Sequence, residues 1–263
     1  MRSAGKTDVG LVRKINEDSF LCVNLSKQSK ISVEDVYLFM VADGMGGANA
    51  GEVASSMAIE EIASYISRNI ASAMQSADRK NSIQSMIRDA IAYTNDKIYK
   101  KSVLESNCFG MGTTLSLVLA VAENIYIGHI GDSRIYLIRD NSITRLTDDH
   151  SLVAELVKNG TIKPEDAQNH PQKNIITRAL GTEYNIEADE KNICIKDGDY
   201  LVLCTDGLTN LLEDEEIMNI VIEEDETAAA CDKLIKSAIT KGGNDNITVV
   251  IIQIGKGGDA DDR

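Results

Sequence analysis

The sequence lacks the features that mark a secreted, membrane-spanning or linker-divided protein. Its five cysteines are scattered and form no Cys-x-x-Cys pair, which indicates neither a disulfide framework nor a zinc ribbon. No segment approaches the roughly 20 apolar residues that a membrane helix needs, and residues 1–8 contain no apolar signal-peptide core. We therefore expect a cytoplasmic protein whose thiols are free and buried.

Positive charge is scarce as well. The sequence has 27 Lys and Arg residues against 41 Asp and Glu residues, a formal net charge of −14. Such an acidic surface repels nucleic acid and anionic lipid, so we expect no nucleic acid and no membrane as a partner. A cluster of acidic residues that holds cations remains compatible with this balance.

Repeats and proline-rich linkers are also missing, so the simplest organisation is one domain. Hydrophobic residues make up 43% of the 263 positions, which suffices for the core of one large domain. Residues 255–263 are rich in Gly and Asp and are predicted to form a disordered tail. Residues 1–254 are therefore predicted to be a single domain.

Apolar runs and helical spacing predict the α+β class. Six strands are expected at residues 36–42, 115–121, 125–130, 135–138, 200–205 and 248–254. Residues 130–134, between two of them, resemble a tight hairpin and favour antiparallel pairing. A pair of helices is expected after residue 51, and two more at 214–222 and 227–240. Paired helices with antiparallel strands are typical of α+β folds.

Acidic residues flank three of these strands. The first and fifth predicted strands run directly into Asp43-Gly44 and Asp206-Gly207, and Asp245 precedes the last one. A glycine after such an aspartate lets the backbone turn and leaves a carbonyl accessible to a hard cation, and Gly44 could offer its own. Taken singly, each Asp-Gly pair is more often a simple turn.

Convergence of the three carboxylates would require counter-charge. Each like-charged pair at about 5 Å repels by about 3 kcal/mol at an effective dielectric constant of about 20. Such a cluster must bind cations or take up protons. Oxygen ligands without Cys or His at ligand spacing favour Mg²⁺ or Mn²⁺.

The order of several short motifs resembles the type 2C metal-dependent protein phosphatases, the PPM family. The opening motifs are Thr7-Asp8-Val9-Gly10, Arg13-Lys14-Ile15-Asn16-Glu17-Asp18, Asp43-Gly44-Met45-Gly46-Gly47 and Gly51-Glu52. The later motifs are Gly110-Met111-Gly112-Thr113-Thr114, Gly131-Asp132-Ser133-Arg134, Thr177-Arg178-Ala179-Leu180-Gly181, Asp206-Gly207-Leu208 and Asp245-Asn246-Ile247-Thr248. The resemblance spans about residues 5–254, and the compact form is most similar to bacterial stand-alone serine/threonine phosphatases.

The resemblance implies a fold and a set of metal ligands. The fold would be a sandwich of two antiparallel β-sheets flanked by helix pairs, a four-layer αββα arrangement with two metal ions at one end. The implied ligands are Asp43 between the metals, the Gly44 carbonyl, Asp206, Asp245 and, through water, Asp18. Asp132 would join Asp206 at a third metal. A turn aspartate that needs no metal is the alternative for Asp132.

The resemblance also implies an activity. A hydroxide between two Mn²⁺ or Mg²⁺ ions would attack phosphoserine or phosphothreonine directly, and Arg13, Asp43 and Asp206 would be the catalytic residues. Arg13 would hold two phosphate oxygens, whereas a salt bridge to Glu17 is its structural alternative. The implied partners are phosphorylated proteins, including a serine/threonine kinase and its substrates, and the chain would act as a monomer.

One position departs from the family pattern. Many members carry a histidine after the first Gly-Gly, proposed to protonate the leaving group, but here Ala48-Asn49 follows. By elimination, His150 and His170 are candidates, although structural roles are expected for all three histidines. The polar residues 140–188, here called the flap, contain both prolines and a helix predicted at 151–158. They are expected to lie beside the cleft, or to be a plain surface insertion.

Other function classes fit the sequence less well. A dinucleotide-binding motif starting at Gly44 would require glycine at Asn49, and no Walker loop is present. A two-metal nuclease would need a basic stripe that this chain lacks. The main alternative is a pseudophosphatase that binds without catalysing. The presence of Asp18, Asp43, Asp206 and Asp245 favours the enzyme.

Overall fold

The computed structural model describes residues 1–26, 35–46, 50–167 and 170–255. Their strands are β1 (Arg2–Asp8), β2 (Asp18–Asn24), β3 (Val36–Met45), β4 (Gly112–Thr113), β5 (Leu115–Val121), β6 (Asn124–Ile130), β7 (Arg134–Arg139), β8 (Ser142–Arg145), β9 (Asp189–Cys194), β10 (Tyr200–Cys204) and β11 (Ile247–Gln253). The helices are α1 (Ala50–Gln75), α2 (Arg79–Leu104), α3 (Leu152–Lys158), α4 (Pro164–Ala167), α5 (Asp206–Thr209), α6 (Asp214–Glu223) and α7 (Thr227–Thr240), with a 3₁₀ turn at Ser106–Cys108.

The strands form two antiparallel sheets. The first has the order β1-β11-β10-β7-β8, and the second has the order β2-β3-β5-β6-β9 with β4 beside β3. Helices α1 and α2 pack on the outer face of the second sheet, and α6 and α7 pack on the outer face of the first. This arrangement confirms the predicted α+β sandwich flanked by helix pairs.

The alternation of side chains explains how the layers pack. Along β3, Leu38 and Met40 belong to the core under α1 and α2, whereas Phe39 and Val41 belong to the core between the two sheets. Because successive side chains of a strand point to opposite faces, a strand buried on both faces is continuously apolar. The central strands were therefore visible in the sequence as uninterrupted apolar runs.

The predicted hairpin at residues 130–134 is wrong. Strand β6 pairs with β5 and β9 in the second sheet, while β7 pairs with β10 and β8 in the first. The segment between β6 and β7 therefore crosses from one sheet to the other. All six predicted strands are present, but five others were missed. β1, β2, β8 and β9 are partly exposed and lack continuous apolar runs, and β4 has only two residues.

The structure describes most of the predicted flap and little of the predicted tail. The flap as predicted includes β8, which belongs to the first sheet. Its other described residues contain α3, which is the predicted helix and has Ser151 as its N-cap, and the short helix α4. Of the predicted tail, residues 256–263 lie outside the described residues. Among the helices of the described ranges, none is long and apolar enough to cross a membrane.

Candidate active site

The core between the two sheets is apolar at its centre and polar at one end. The strand alternation that points Phe39 and Val41 into this core also points Asp43 into it, two residues further on. The same alternation holds on four other strands of the two sheets. On each of these strands, a polar side chain follows the apolar side chains that face the other sheet. These polar residues are Asp18 on β2, Asp43 on β3, Ser116 on β5, His129 on β6 and Thr248 on β11. Burial therefore gathers polar groups from many strands at this end of the sandwich.

Asp18 and Asp43 face each other on neighbouring strands, paired in register across β2 and β3. Asp18 Oδ2 accepts hydrogen bonds from Thr205 Oγ1 at 2.9 Å and from Thr248 Oγ1 at 2.7 Å. Asp18 Oδ1 is buried and has no hydrogen-bond partner among the described residues. Two hydroxyls thus fix one oxygen of the carboxylate and leave the other available.

Asp206 is the first residue of α5, directly after β10. Its Oδ2 accepts a hydrogen bond from Asn210 Nδ2 at 2.9 Å, whereas its buried Oδ1 has no partner within the described ranges. A Cβ atom on Gly207 would lie 1.9 Å from the carbonyl oxygen of Asn246. Glycine is therefore required here for close backbone approach, which brings Asp206 next to the segment that carries Asp245.

Gly44 has the same reason to be glycine. β3 continues through Asp43 and Gly44 to Met45, so no turn follows Asp43, and the predicted turning role of this glycine is wrong. A Cβ atom at Gly44 would lie 2.1 Å from the carbonyl oxygen of Gly51 in α1. The close packing of β3 against the start of α1 therefore excludes any side chain at this position.

Asp132 lies in the crossover between the two sheets, and not in a hairpin turn. The backbone N–H of Gly131 donates to His150 Nδ1 at 3.1 Å, and the N–H of His150 donates to the Gly131 carbonyl at 2.8 Å. On the other side, Ser116 Oγ donates to the Ser133 carbonyl at 3.1 Å. The neighbours of Asp132 are thus held firmly, while its buried Oδ1 has no partner in the described part of the chain.

The carboxylates lie close enough to raise one another's pKa values. Burial, together with the charges of Asp18, Asp206, Asp132 and Asp245, raises the pKa of Asp43 well above its usual value. Burial and nearby acidic charge raise the pKa of Asp18 to about 7 and that of Asp132 to about 8. Burial and the charge of Asp245 raise the pKa of Asp206. The structure thus brings together all five aspartates that the sequence analysis proposed as ligands.

Arg13 lies at the edge of this cluster. Its Nη2 donates to Asp245 Oδ2 at 2.8 Å, so its ion pair is with Asp245 and not with Glu17, as the structural alternative had it. The hydrogen bond to Asp245, together with the charges of Asp245, Glu17 and Asp43, raises the pKa of the Arg13 guanidinium. Half of the Arg13 side chain is exposed, so the guanidinium borders both the cluster and solvent.

The histidines proposed by elimination have other partners. His150 is 2% exposed, its Nδ1 accepts from Gly131, and its Nε2 lies 3.3 Å from Asp189 Oδ2. His170 Nδ1 accepts from the backbone N–H of Gln172 at 3.2 Å. Ala48-Asn49, where many family members carry a histidine, lies outside the described residues. A catalytic acid thus stays unassigned, and His150 as that acid stays a prediction.

The sequence motifs did not identify the residues that hold the acidic side chains in place. Thr205, Thr248 and Ser116 hydrogen-bond within or beside the cluster, and Asn246 Oδ1 accepts from the backbone N–H of Glu17 at 2.8 Å. The sequence did contain a signal for the hydroxyl residues, because each threonine or serine follows the apolar residues of a strand that face the other sheet. A polar residue at such a position needs a partner inside the core.

The oxygen donors of the cluster are of the type that divalent cations prefer. Among the described residues, no three His, Cys, Asp or Glu side chains form a group that could hold a metal ion as they stand. However, three buried carboxylate oxygens, Oδ1 of Asp18, Asp132 and Asp206, have no hydrogen-bond partner within those residues. Buried charges without partners are costly, and all-oxygen ligands are those that Mg²⁺ and Mn²⁺ prefer.

Comparison with known proteins also points to the type 2C protein phosphatases. The family model described as "Protein phosphatase 2C" matches residues 14–237. The chain is 37% identical to the serine/threonine phosphatase stp of Listeria welshimeri over 253 residues, 96% of each chain. It is also 37% identical to the protein phosphatase PhpP of Streptococcus pneumoniae, over 94% of this chain and 95% of that one.

Solved structures agree with both the fold and the family. The Mycobacterium tuberculosis serine/threonine phosphatase PstP/Ppp superimposes with a TM-score of 0.83 at 35% identity, covering 97% of this chain and 98% of that one. The catalytic domain of PstP in complex with two manganese ions has a TM-score of 0.78 at 34% identity, covering 95% and 96%. The resemblance stated from the motifs is confirmed: this chain is a protein phosphatase that belongs to the protein phosphatase 2C family.

Proposed function

We propose that the chain hydrolyses phosphoserine and phosphothreonine in proteins with the help of two Mn²⁺ or Mg²⁺ ions. The observation that carries the proposal is the buried set of carboxylates around Asp43, three of which each keep one oxygen without a partner in the part of the chain that the structure describes. The serine/threonine phosphatases to which the chain is similar support the substrate class. A third ion beside Asp132 and Asp206 is part of the proposal.

The residues divide into ligands and supports. Asp43, the Gly44 carbonyl, Asp206 and Asp245 would hold the two ions, with Asp18 acting through water. Ions held by these residues would supply positive charge near the phosphoryl oxygens and would acidify a bound water that could serve as the nucleophile. Thr205 and Thr248 hold Asp18 in one orientation, so its second oxygen keeps its direction.

Arg13 is proposed to bind the phosphate group. A guanidinium has five N–H donors in a planar fork, and the ion pair with Asp245 uses the Nη2 end of Arg13. Its exposed remainder can donate to phosphate oxygens at the border between the cluster and solvent. Arg13 would therefore position the phosphate and balance part of its charge.

The decisive experiment is hydrolysis of a phosphothreonine peptide by the full chain in Mn²⁺ and in EDTA. We expect turnover in Mn²⁺ alone, and a loss of at least about 100-fold in Asp206→Asn, since losing even an outer partner of a metal ligand typically costs about 10–100-fold. Asp225→Asn is the matched control, because Asp225 is an exposed carboxylate between α6 and α7, and it should keep wild-type activity. Activity in EDTA, or none in Mn²⁺, would overturn the proposal.

The same experiment decides between the enzyme and its alternative. A pseudophosphatase would bind the phosphopeptide without releasing phosphate. The presence and burial of the aspartates make this alternative the less favoured one, because a buried acidic cluster destabilises a fold that has no use for it. Action on a serine/threonine kinase and its substrates, as a monomer in the cytoplasm, stays a prediction.

A further inference from the structure

The loop that carries Arg13, residues 9–17 and here called the arginine loop, is fixed through its backbone. Asn246 Nδ2 donates to the carbonyls of Val9 and Ile15, each at 3.0 Å, and Asn246 Oδ1 accepts from the N–H of Glu17. The N–H of Leu11 donates to the Gly243 carbonyl at 2.8 Å. A single buried asparagine thus ties both ends of the loop to the segment that carries Asp245.

Three apolar side chains of this fixed loop are nevertheless exposed. Leu11 is 67% exposed, Val12 64% and Ile15 41%. Single exposed apolar residues are ordinary, but these three lie within two positions of the proposed phosphate-binding Arg13. Backbone hydrogen bonds already hold the loop, so these exposed side chains contribute little to its fold.

The position of this apolar patch, Leu11, Val12 and Ile15, determines what can cover it. Consecutive Cα atoms are 3.8 Å apart, so the three Cα atoms lie within about 8 Å of that of Arg13. A phosphoprotein segment whose phosphate reaches Arg13 advances about 3.3–3.6 Å per residue when extended, which brings residues beside the phosphorylated one onto the same surface.

Electrostatics narrows the chemistry of that segment further. The chain carries a net charge of −14, and the acidic cluster borders Arg13, so acidic residues beside the phosphorylated one would be repelled. Aliphatic side chains meet no such repulsion and gain by covering apolar surface. We infer that the apolar patch binds aliphatic side chains next to the phosphorylated residue of the substrate, an inference that rests on the proposed function.

Two phosphothreonine peptides of equal charge test the inference. One carries Leu and Val within two residues of the phosphothreonine, and the other carries Ser and Asn there. With Mn²⁺ and the full chain, we expect kcat/KM to be about tenfold higher for the aliphatic peptide, the size of effect that a few methylene groups give in an apolar contact. In Leu11→Ser/Val12→Ser, kcat/KM should be about equal for the two peptides. In Val12→Thr, which keeps the side-chain shape, the preference for the aliphatic peptide should lie between that of the wild type and that of the double variant.

Val103→Ser/Leu104→Ser is the matched control. These residues are 56% and 80% exposed at the end of α2, so the variant removes the same apolar types from another surface and should keep the tenfold preference.

Equal kcat/KM for the two peptides in the wild type, with p-nitrophenyl phosphate still hydrolysed, would overturn the inference alone. If no substrate is hydrolysed in Mn²⁺, the proposed function fails first. A change of sedimentation coefficient in Leu11→Ser/Val12→Ser with an unaltered preference would identify a self-association surface and also overturn the inference.

Discussion

Asp18, on β2, and Asp132, in the crossover between β6 and β7, both belong to the acidic cluster, and they are held in different ways. Asp18 is held by its own carboxylate, whose Oδ2 accepts from two threonine hydroxyls. Asp132 is held through its neighbours, since Gly131 is bonded to His150 and Ser133 to Ser116. The side chain of Asp18 is therefore oriented by two hydroxyls, whereas at Asp132 these hydrogen bonds hold the backbone on either side of the residue.

The two supports also come from different parts of the chain. Behind Asp18, Thr248 Oγ1 lies 2.7 Å from Thr7 Oγ1, which in turn accepts from Asn16 Nδ2. These residues belong to strands of the first sheet or to the arginine loop. His150, by contrast, lies in the flap. Changes in the flap should therefore reach the Asp132 side of the site and leave the Asp18 side intact.

Of the two supports, the hydroxyls behind Asp18 are expected to have the larger effect when they are removed. Thr205→Val and Thr248→Val keep the side-chain shape but remove a donor to Asp18 Oδ2. Asp18 is proposed to act on an ion through water, and outer partners in metal sites typically contribute about 10–100-fold. We therefore expect kcat on a phosphothreonine peptide to fall by that factor with KM little changed. Thr205→Val should be the more severe, because Thr205 Oγ1 also accepts from the backbone N–H of Thr248.

A control variant separates this effect from a general loss of threonine. Thr144 is exposed on β8, so Thr144→Val should leave kcat at the wild-type value. Added Mn²⁺ should partly restore Thr248→Val, because misorientation of Asp18 weakens ion binding without removing a ligand. Wild-type kcat in both threonine variants would mean that Asp18 needs no hydroxyl support.

A smaller effect is expected on the Asp132 side. His150→Ala removes the acceptor of the Gly131 N–H, and we expect about a tenfold loss of kcat, with a higher Mn²⁺ concentration needed for half-maximal activity. His150→Asn should recover most of the loss, because Asn Oδ1 can take the place of Nδ1 as an acceptor.

Comparison of substrates distinguishes this positioning role from proton donation by His150. A positioning defect should lower the rates on phosphothreonine peptides and on aryl phosphates equally. If His150 were the general acid, His150→Ala would lower turnover on phosphoserine peptides by about 100-fold and spare aryl phosphates, whose leaving group needs less protonation.

The sequence predicted the interior of the molecule better than its edges. The continuous apolar runs of β5 and β10 were visible because both faces of these strands are buried. β8 and β9 were not visible, since partly exposed edge strands carry mixed residues. The segment around Asp132 was misassigned as a hairpin because two apolar runs with a short polar break look the same whether they pair or separate into two sheets.

Prediction of the site followed the same pattern. Motif order placed Asp18, Asp43 and Asp206 in one site, and the structure brings them together. The ion pair between Arg13 and Asp245 was not predictable, because it joins residues 232 positions apart through the position of the arginine loop on Asn246. Contacts of this kind depend on tertiary packing and not on a local pattern.

The smallest effect concerns the stability of the metal-free protein. Burial raises the pKa of Asp18 to about 7 and that of Asp132 to about 8, well above the value of about 3.9 for an unfolded aspartate. Between these limits the folded state binds more protons than the unfolded state, so the free energy of unfolding falls as pH rises. This stability is complete below about pH 4 and is lost as pH rises through 7 to 8.

Thermal unfolding in EDTA between pH 5.5 and pH 8.5 measures this loss on the two sides of the site. We expect Tm to fall by at least about 2–4 °C, the change that about 1 kcal/mol produces in a domain approaching this size. Asp18→Asn and Asp132→Asn each remove one titrating group, so each should make the fall smaller, and Asp225→Asn should not. Mn²⁺ should reverse the trend, because it binds the ionised carboxylates. A Tm that rises over this range in EDTA would show that the two aspartates are ionised in the folded metal-free protein. The carboxylates would then have to be balanced by the protein's own cations, such as Arg134, whose charge acts on Asp132.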